Sequence, residues 1–151
     1  MGSSTGEPSA CRDREVTFPP ARFDLVLSVL ALHYVDDYPS VVARISKWLT
    51  RGGGVVLSTE HPIFTARLPD DGWLCDDAGR TRWALNDYTA EGPRDEVHRT
   101  LATMLNGLAE AGLTIERGVE PIPSAEWLER HPSMRDERRR PMFLPVRARK
   151  S

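Results

Sequence analysis

The chain has 151 residues, of which 40% are hydrophobic and 28% are charged, and its formal net charge is -2. This length suits one ordinary domain, and the composition is that of a globular protein without the positive excess that favours nucleic-acid binding. No apolar run approaches the roughly 20 residues that a membrane helix needs, so the sequence predicts a cytoplasmic protein that contacts no membrane.

Residues 1–15 are small, polar and without period, which predicts a disordered or frayed segment before a single domain over residues 16–149. The domain opens on an apolar run from Phe23 to Leu30, interrupted only by Asp24 and Ser28. Such a run is typical of a strand covered on both faces, as in a parallel sheet.

An amphipathic helix follows in DDYPSVVARISKWLTRGGG. Pro39 suits its first turn, the apolar residues from Tyr38 to Leu49 repeat at helical spacing, and Gly52 ends it. The β-branched run GVVLSTEHP then predicts a second strand that ends before Pro62. Strand, helix and strand with short turns favour a crossover unit, in which two parallel strands end at the same sheet edge.

The remaining sequence predicts an insertion or lid over about residues 66–95, with Trp73 and Trp83 on either side of a turn at DDAGR. A helix from Val97 to Ala111 comes next, followed by a third strand and a short helix capped by Ser124. PMFLPVRAR predicts a last strand, in which Pro145 favours an edge position or a bulge.

Polar residues lie where the first two predicted strands end. Ligands of open α/β sheets bind at that edge, and the residues there include Ser28, Ala31, His33, Tyr34, Thr59, Glu60 and His61. A histidine is suited to act as a base near neutral pH, and His98 lies near the start of the long helix. Structural roles remain open: His61 would pin a turn, His33 and Tyr34 would close the core, and the tryptophans would pack. Cys11 and Cys75 form no C-x-x-C pair, so no metal site is predicted.

Several stretches together resemble one family. FDLVLSVLALHYVDDYPSVVARISKWLTRGGGVVLSTEHPIFTA, EGPRDEVHRTLATMLNGLAEAGLTIERGVEP and RRRPMFLPVRAR are similar, in order and spacing, to the carboxyl-terminal portion of class I S-adenosylmethionine-dependent methyltransferases. The similarity is to the small-molecule type, the type 11-like enzymes. It implies a partial Rossmann-like α/β fold whose sheet is mostly parallel, has an antiparallel last strand and lacks the first strands.

The resemblance also implies a cofactor and site residues. S-adenosylmethionine would lie beside Ser28, Val29, Leu30 and Ala31, which match the family's wall at the methionine part of the cofactor. His33, Tyr34 and His61 match substrate-side positions: a histidine would supply the base, and Tyr34 would orient a small-molecule methyl acceptor. Methyl transfer from a sulfonium requires no metal.

Two cofactor-binding features of the family do not occur in the sequence, namely the glycine-rich loop after the first strand and the acidic residue after the second. Asp13 is only a weak match to the aspartate near the adenine. The strand at Phe23 would then present an open apolar edge. Three explanations stay open: a chain shortened by gene prediction or decay, a half that assembles with a separate amino-terminal half, or a homodimer.

The leading interpretation is a methyltransferase-family protein that acts on a small molecule and is truncated. The alternative is a non-catalytic remnant or interaction subunit that pairs through its open sheet edge. A further alternative is a binder of small apolar ligands that uses the aromatic insertion and no cofactor.

Overall fold

The structure is a computed structural model and describes residues 16–67, 72–78, 81–94 and 96–151. The interpretations of residues 1–15, including Asp13, lie outside this range. In chain order the elements are β1 (Phe23–Val29), a 3-10 turn (Leu32–Tyr34), α1 (Tyr38–Trp48), β2 (Leu49–Glu60), α2 (Pro62–Thr65), β3 (Trp73–Cys75), β4 (Thr81–Trp83), β5 (Gly92–Pro93), β6 (Val97–His98), α3 (Leu101–Glu110), β7 (Leu113–Gly118), α4 (Ala125–Arg130), a 3-10 helix (Pro132–Arg139) and β8 (Phe143–Lys150).

The main sheet has four strands in the order β1-β2-β8-β7. β1 runs parallel to β2, and β8 is antiparallel to both of its neighbours, β2 and β7. β7 therefore has the same direction as β1 and β2. This arrangement confirms the predicted α/β fold, with a mostly parallel sheet and an antiparallel last strand.

Helices α1 and α3 cover one face of this sheet and build the core. Pro39 stands in the first turn of α1, and the Asp37 carboxylate accepts a hydrogen bond from the Ser40 N–H, so the predicted start of the helix is confirmed. The Tyr38 hydroxyl donates to the Met104 carbonyl at 3.0 Å and ties α1 to α3. The buried apolar residues around this contact are Leu32, Val42, Ile45, Leu49, Val55, Leu57, Leu108, Leu113, Leu144, Val146 and Ala148.

The second face of the sheet is apolar at β1 and open to solvent in the described part of the chain. Leu25, Leu27 and Val29 expose 54%, 65% and 71% of their surface, and we call these three side chains the open face. The prediction that β1 is covered on both faces is therefore wrong for the described residues. Its sequence carries the apolar pattern of a doubly covered strand, but the helices pack on one side only.

Strand β8 occupies an interior position, so the prediction of an edge at Pro145 is wrong. Pairing with β2 runs through Ser58 and Pro145 without a break. The Pro145 carbonyl accepts from the Val119 N–H, just beyond the end of β7. Because the N and O of one strand residue point to the same side, the N–H that proline lacks faces the end of β7, where no ladder partner is needed.

Helix α3 begins at Leu101, four residues later than predicted, because Thr100 caps it. The Thr100 hydroxyl accepts from the Thr103 N–H at 3.2 Å. Val97 and His98 instead belong to the short strand β6. The short helix α4 has the predicted Ser124 cap, whose hydroxyl accepts from the Trp127 N–H.

Within the predicted insertion, β3 and β4 pair antiparallel with Trp73 opposite Trp83, which confirms the hairpin. The Arg140 guanidinium lies 3.6 Å from the Trp83 ring centre and 4.6 Å from that of Phe64. The Trp83 indole N–H donates to the Ile63 carbonyl at 3.0 Å. These aromatic rings therefore attach the hairpin to the body by cation–π contacts and packing. Within the residues described, no helix has the length and apolar character needed to cross a membrane.

The contact between α1 and α3 predicts the effect of Gly107→Ala. A Cβ at this position would lie 2.9 Å from Cε1 of the buried Tyr38 ring. Alanine improves helix propensity by about 1 kcal/mol, but overpacking a core costs about 1–3 kcal/mol. We expect a net loss of unfolding free energy in urea denaturation.

A double-mutant cycle separates the two effects. Asn106→Ala, at an exposed position of the same helix, should not destabilise. In a Tyr38→Leu background, Gly107→Ala should cost less than in the parent chain. An equal cost in both backgrounds would contradict the proposed clash.

Candidate functional site

The tip of β1 presents apolar surface at the carboxyl edge of the sheet. Leu30 has a φ of 48°, which is unusual for a residue other than glycine, and its N–H donates to the Ser58 carbonyl at 2.8 Å. This turn leaves Leu30 41% exposed and Val29 71% exposed, with Ala31 exposed and Ser28 half-buried. Strained backbone of this kind costs about 1–3 kcal/mol and clusters at functional sites.

His33 and Tyr34 follow in a 3-10 turn beside the end of β2. The His33 Nδ1 lies 3.3 Å from the Thr59 hydroxyl and accepts a long hydrogen bond from the Glu60 backbone N–H at 3.5 Å. Its ring is buried, whereas Tyr34 is 65% exposed and lies with its ring centre 4.3 Å away. The ends of β1 and β2, which the sequence predicts to meet at this edge, are therefore in contact through His33 and Thr59.

Arg99, which the sequence did not single out, holds this turn in place. Its guanidinium donates to the Leu32 carbonyl at 3.3 Å, to the Asp36 carbonyl at 3.0 Å and to the Val35 carbonyl. The guanidinium also lies 5.3 Å from the centre of the Tyr38 ring. A single buried side chain thus satisfies three carbonyls of the loop that carries His33.

His61 is 2% exposed, and both of its ring nitrogens are hydrogen-bonded. Nδ1 accepts from the Ile63 N–H at 3.1 Å, which caps α2, so Nε2 carries the proton and donates to Glu120 Oε1 at 3.0 Å. The Glu120 side chain is 58% exposed. At this edge His61 therefore positions a carboxylate, and the carboxylate is the group that faces solvent.

His98 is fully buried and lies under the insertion. Its Nε2 donates to the Tyr88 carbonyl at 2.8 Å, and its Nδ1 accepts from the Thr65 hydroxyl at 2.6 Å. These bonds join α2 to the segment before α3. They give His98 a structural role.

Burial is the main influence on the two histidines at the edge. It lowers the pKa of His33, with a smaller opposing effect from Glu96, and it lowers the pKa of His61 against the opposing hydrogen bond and charge of Glu120. Both rings are therefore neutral at pH 7, which is the state that a proton acceptor requires.

Glu120 and Arg99 are the residues that sequence reasoning missed. Each acts across a long chain separation: Glu120 reaches a residue 59 positions away, and Arg99 reaches residues 63–67 positions away. Neither belongs to a local motif. Glu120 lies within the stretch that the sequence predicts as the third strand, whereas the strand ends at Gly118, so no sequence signal singled it out.

Comparisons with known proteins agree on one family. A family model described as a methyltransferase domain matches residues 7–57. The crystal structure of an S-adenosylmethionine-dependent methyltransferase from Mesorhizobium loti is 39% identical, with a TM-score of 0.82 over 90% of this chain and 66% of its own. That of a putative S-adenosylmethionine-dependent methyltransferase from Listeria monocytogenes is 33% identical, with a TM-score of 0.77 over 91% and 65%.

An uncharacterized protein of Haemophilus influenzae is 32% identical over 142 residues, which are 87% of this chain and 56% of that protein. The chain thus spans less than two thirds of each of these relatives.

The lowered pKa values predict acid sensitivity. An unfolded histidine titrates near pH 6.5, so the unfolded chain takes up protons before His33 or His61 does in the folded chain. The stabilisation is complete above about pH 6.5 and is lost as the pH falls through the folded pKa values. We expect the unfolding free energy in urea to fall between pH 7.5 and 5.5.

The slope of the unfolding free energy against pH shows which histidines cause the loss of stability. His33→Gln and His61→Gln should each flatten the dependence over this range, whatever they do to stability at pH 7.5. His131→Gln, at an exposed position, is the matched control and should keep the parent slope. A slope unchanged in all three variants would contradict the burial argument.

Proposed function

Because the chain belongs to the class I S-adenosylmethionine-dependent methyltransferase family, we propose that it supplies the acceptor side of an enzyme that methylates a small molecule. The observation that carries this proposal is the contact of His33 with Thr59 at 3.3 Å, beside the exposed Tyr34. It joins the tips of two parallel strands where open α/β sheets bind ligands.

The tip of β1 fits one wall of the cofactor site. Ser28, Val29, Leu30 and Ala31 form a surface that is largely apolar and exposed. When bound, S-adenosylmethionine supplies a methyl group on an already activated sulfonium. The family's glycine loop and acidic residue do not occur in this chain, so the fit is limited to this wall.

His33 is the proposed base. The base role requires the tautomer in which Nδ1 gives up the long 3.5 Å hydrogen bond from the Glu60 N–H and donates to the Thr59 hydroxyl instead, so that Nε2 has a lone pair for the acceptor's proton. The Tyr34 ring lies against this ring at a tilt of 55°, and its side chain, which ends in a hydroxyl, is exposed, which suits it to orient the acceptor. His61 has no free ring nitrogen, and we propose that it acts through Glu120 as a positioning residue.

The open face is the proposed attachment surface for the cofactor-binding part. Leu25, Leu27 and Val29 all lie on β1, whose outer edge pairs with no strand among the described residues. Fully burying such a side chain stabilises by about 1.5–3 kcal/mol. A methyltransferase amino-terminal segment, encoded separately or with this chain, is the proposed occupant.

A second candidate function rests on the same surface. A non-catalytic subunit would use the open face for partner binding, or two copies would cover it by forming a homodimer. Calorimetric titration with S-adenosylmethionine, alone and with an added amino-terminal segment, separates these functions. Heat and thermal stabilisation only in the complex support the enzyme, and their absence in both supports the subunit.

We predict that Leu27→Asp blocks assembly without unfolding the chain, because Leu27 is 65% exposed and its replacement removes no core contact. The assay mixes this chain with the part of the Mesorhizobium loti relative that it does not span. Analytical ultracentrifugation should show a complex with the parent chain and none with the variant. S-adenosylmethionine should raise the Tm of the parent mixture only.

The matched control is Ile122→Asp, because Ile122 has a similar exposure of 60% but lies outside the main sheet. This variant should still form the complex. Complex formation by Leu27→Asp, or its loss in both variants, would rule out the open face as the specific attachment surface.

For the active complex we predict that His33→Ala lowers kcat by about 100-fold or more, the typical contribution of a general base. His61→Ala should lower kcat to a smaller degree, since it acts through Glu120. Affinity for S-adenosylmethionine, measured by calorimetry, should change less than turnover in both variants. Unchanged turnover in both would remove the proposed base.

A further inference from the structure

An apolar cleft of about 550 Å³ lies between the segment after β7 and the start of β8. Its lining includes Ile122, Trp127, Met134, Met142 and Phe143. The volume is within the range of small-molecule sites, which are mostly apolar with a few polar groups that fix orientation. Methionine side chains adapt their shape and suit a site that accepts an apolar body.

The pair formed by His61 and Glu120 adjoins this cleft at two chain junctions. Glu120 directly precedes Pro121, which lines the cleft. The His61 N–H donates to the carbonyl of Met142 at 2.8 Å, and Met142 lines the other side. The pair therefore meets the cleft lining at Pro121 through the chain and at Met142 through a hydrogen bond.

Two carboxylates are associated with the cleft, and they differ in their partners. Glu137 lines it but pairs with the buried Arg140 at 2.7 Å, which balances its charge. The Glu120 carboxylate accepts a hydrogen bond from the neutral His61, and its side chain is 58% exposed. The charge open to a ligand beside this cleft is therefore that of Glu120.

We infer that the cleft binds an apolar small molecule that carries a protonated amine, with the amine paired to Glu120 and the apolar body between Trp127 and Met142. A cation satisfies both the charge of the carboxylate and its capacity to accept hydrogen bonds. An anionic head of the same size would be repelled. This inference rests on the proposed function, because it assigns the substrate class of the methyl acceptor.

The test uses three ligands that share one body: 2-naphthylmethylamine, 2-naphthylmethanol and 2-naphthylacetate. Calorimetric titration of the full chain, without cofactor, should rank the amine about tenfold tighter than the acetate, as a single partly exposed charge pair allows. Glu120→Gln should abolish this ranking. Glu126→Gln removes the same charge from an exposed position outside the cleft lining and should preserve it.

A second variant tests the apolar body. Ile122 is 60% exposed, so Ile122→Ser leaves folding intact and should weaken all three ligands. Equal affinity for amine and acetate, or a preference that survives Glu120→Gln, overturns the inference. Because no cofactor is added, these results are independent of S-adenosylmethionine binding, whose failure would sink the proposed function alone.

Discussion

Helices α1 and α3 cover one face of a four-stranded sheet, and the apolar second face at β1 stays open in the described part of the chain. The exposed side chains of Leu27 and Val29 disfavour the isolated chain relative to a complex, because contact of apolar side chains with water is unfavourable. The unpaired edge of β1 adds backbone groups that seek a partner. A partner that covers this surface would bury the apolar side chains and would pair the free backbone groups of the edge. Assembly is therefore central to either candidate function.

Hydrogen-bond occupancy distinguishes the two histidines at the carboxyl edge more clearly than burial does. Both rings are nearly buried, and burial lowers the pKa of each. His61 uses both nitrogens, one in a helix cap and one on Glu120, whereas the hydrogen bonds of His33 to the described residues are at Nδ1. The same residue type at the same edge thus has two different surroundings: one ring orients a carboxylate, and the other is the proposed base.

Local patterns predicted the strand, helix and strand from Phe23 to Glu60, because β-branched runs and Pro39 act within a few residues. The predicted helix end at Gly52 is wrong, because the helix ends at Trp48 and β2 begins at Leu49. The local patterns also placed His33 and His61 at one edge, since parallel strands end together. They failed where long-range contacts decide. The interior position of β8 depends on where β7 ends, and the roles of Arg99 and Glu120 depend on partners about 60 residues away.

The loop that carries His33 is fixed by this chain's own residues. Arg99 satisfies three of its carbonyls, and the fully buried Tyr38 packs beneath the guanidinium. Three charge-assisted hydrogen bonds to one guanidinium hold the loop in a single conformation. The loop that carries His33, the proposed base, is therefore already in place in this chain without any assembly at the open face. A cofactor-binding part that docks there would add the second wall of the cofactor site to an acceptor side that is already formed.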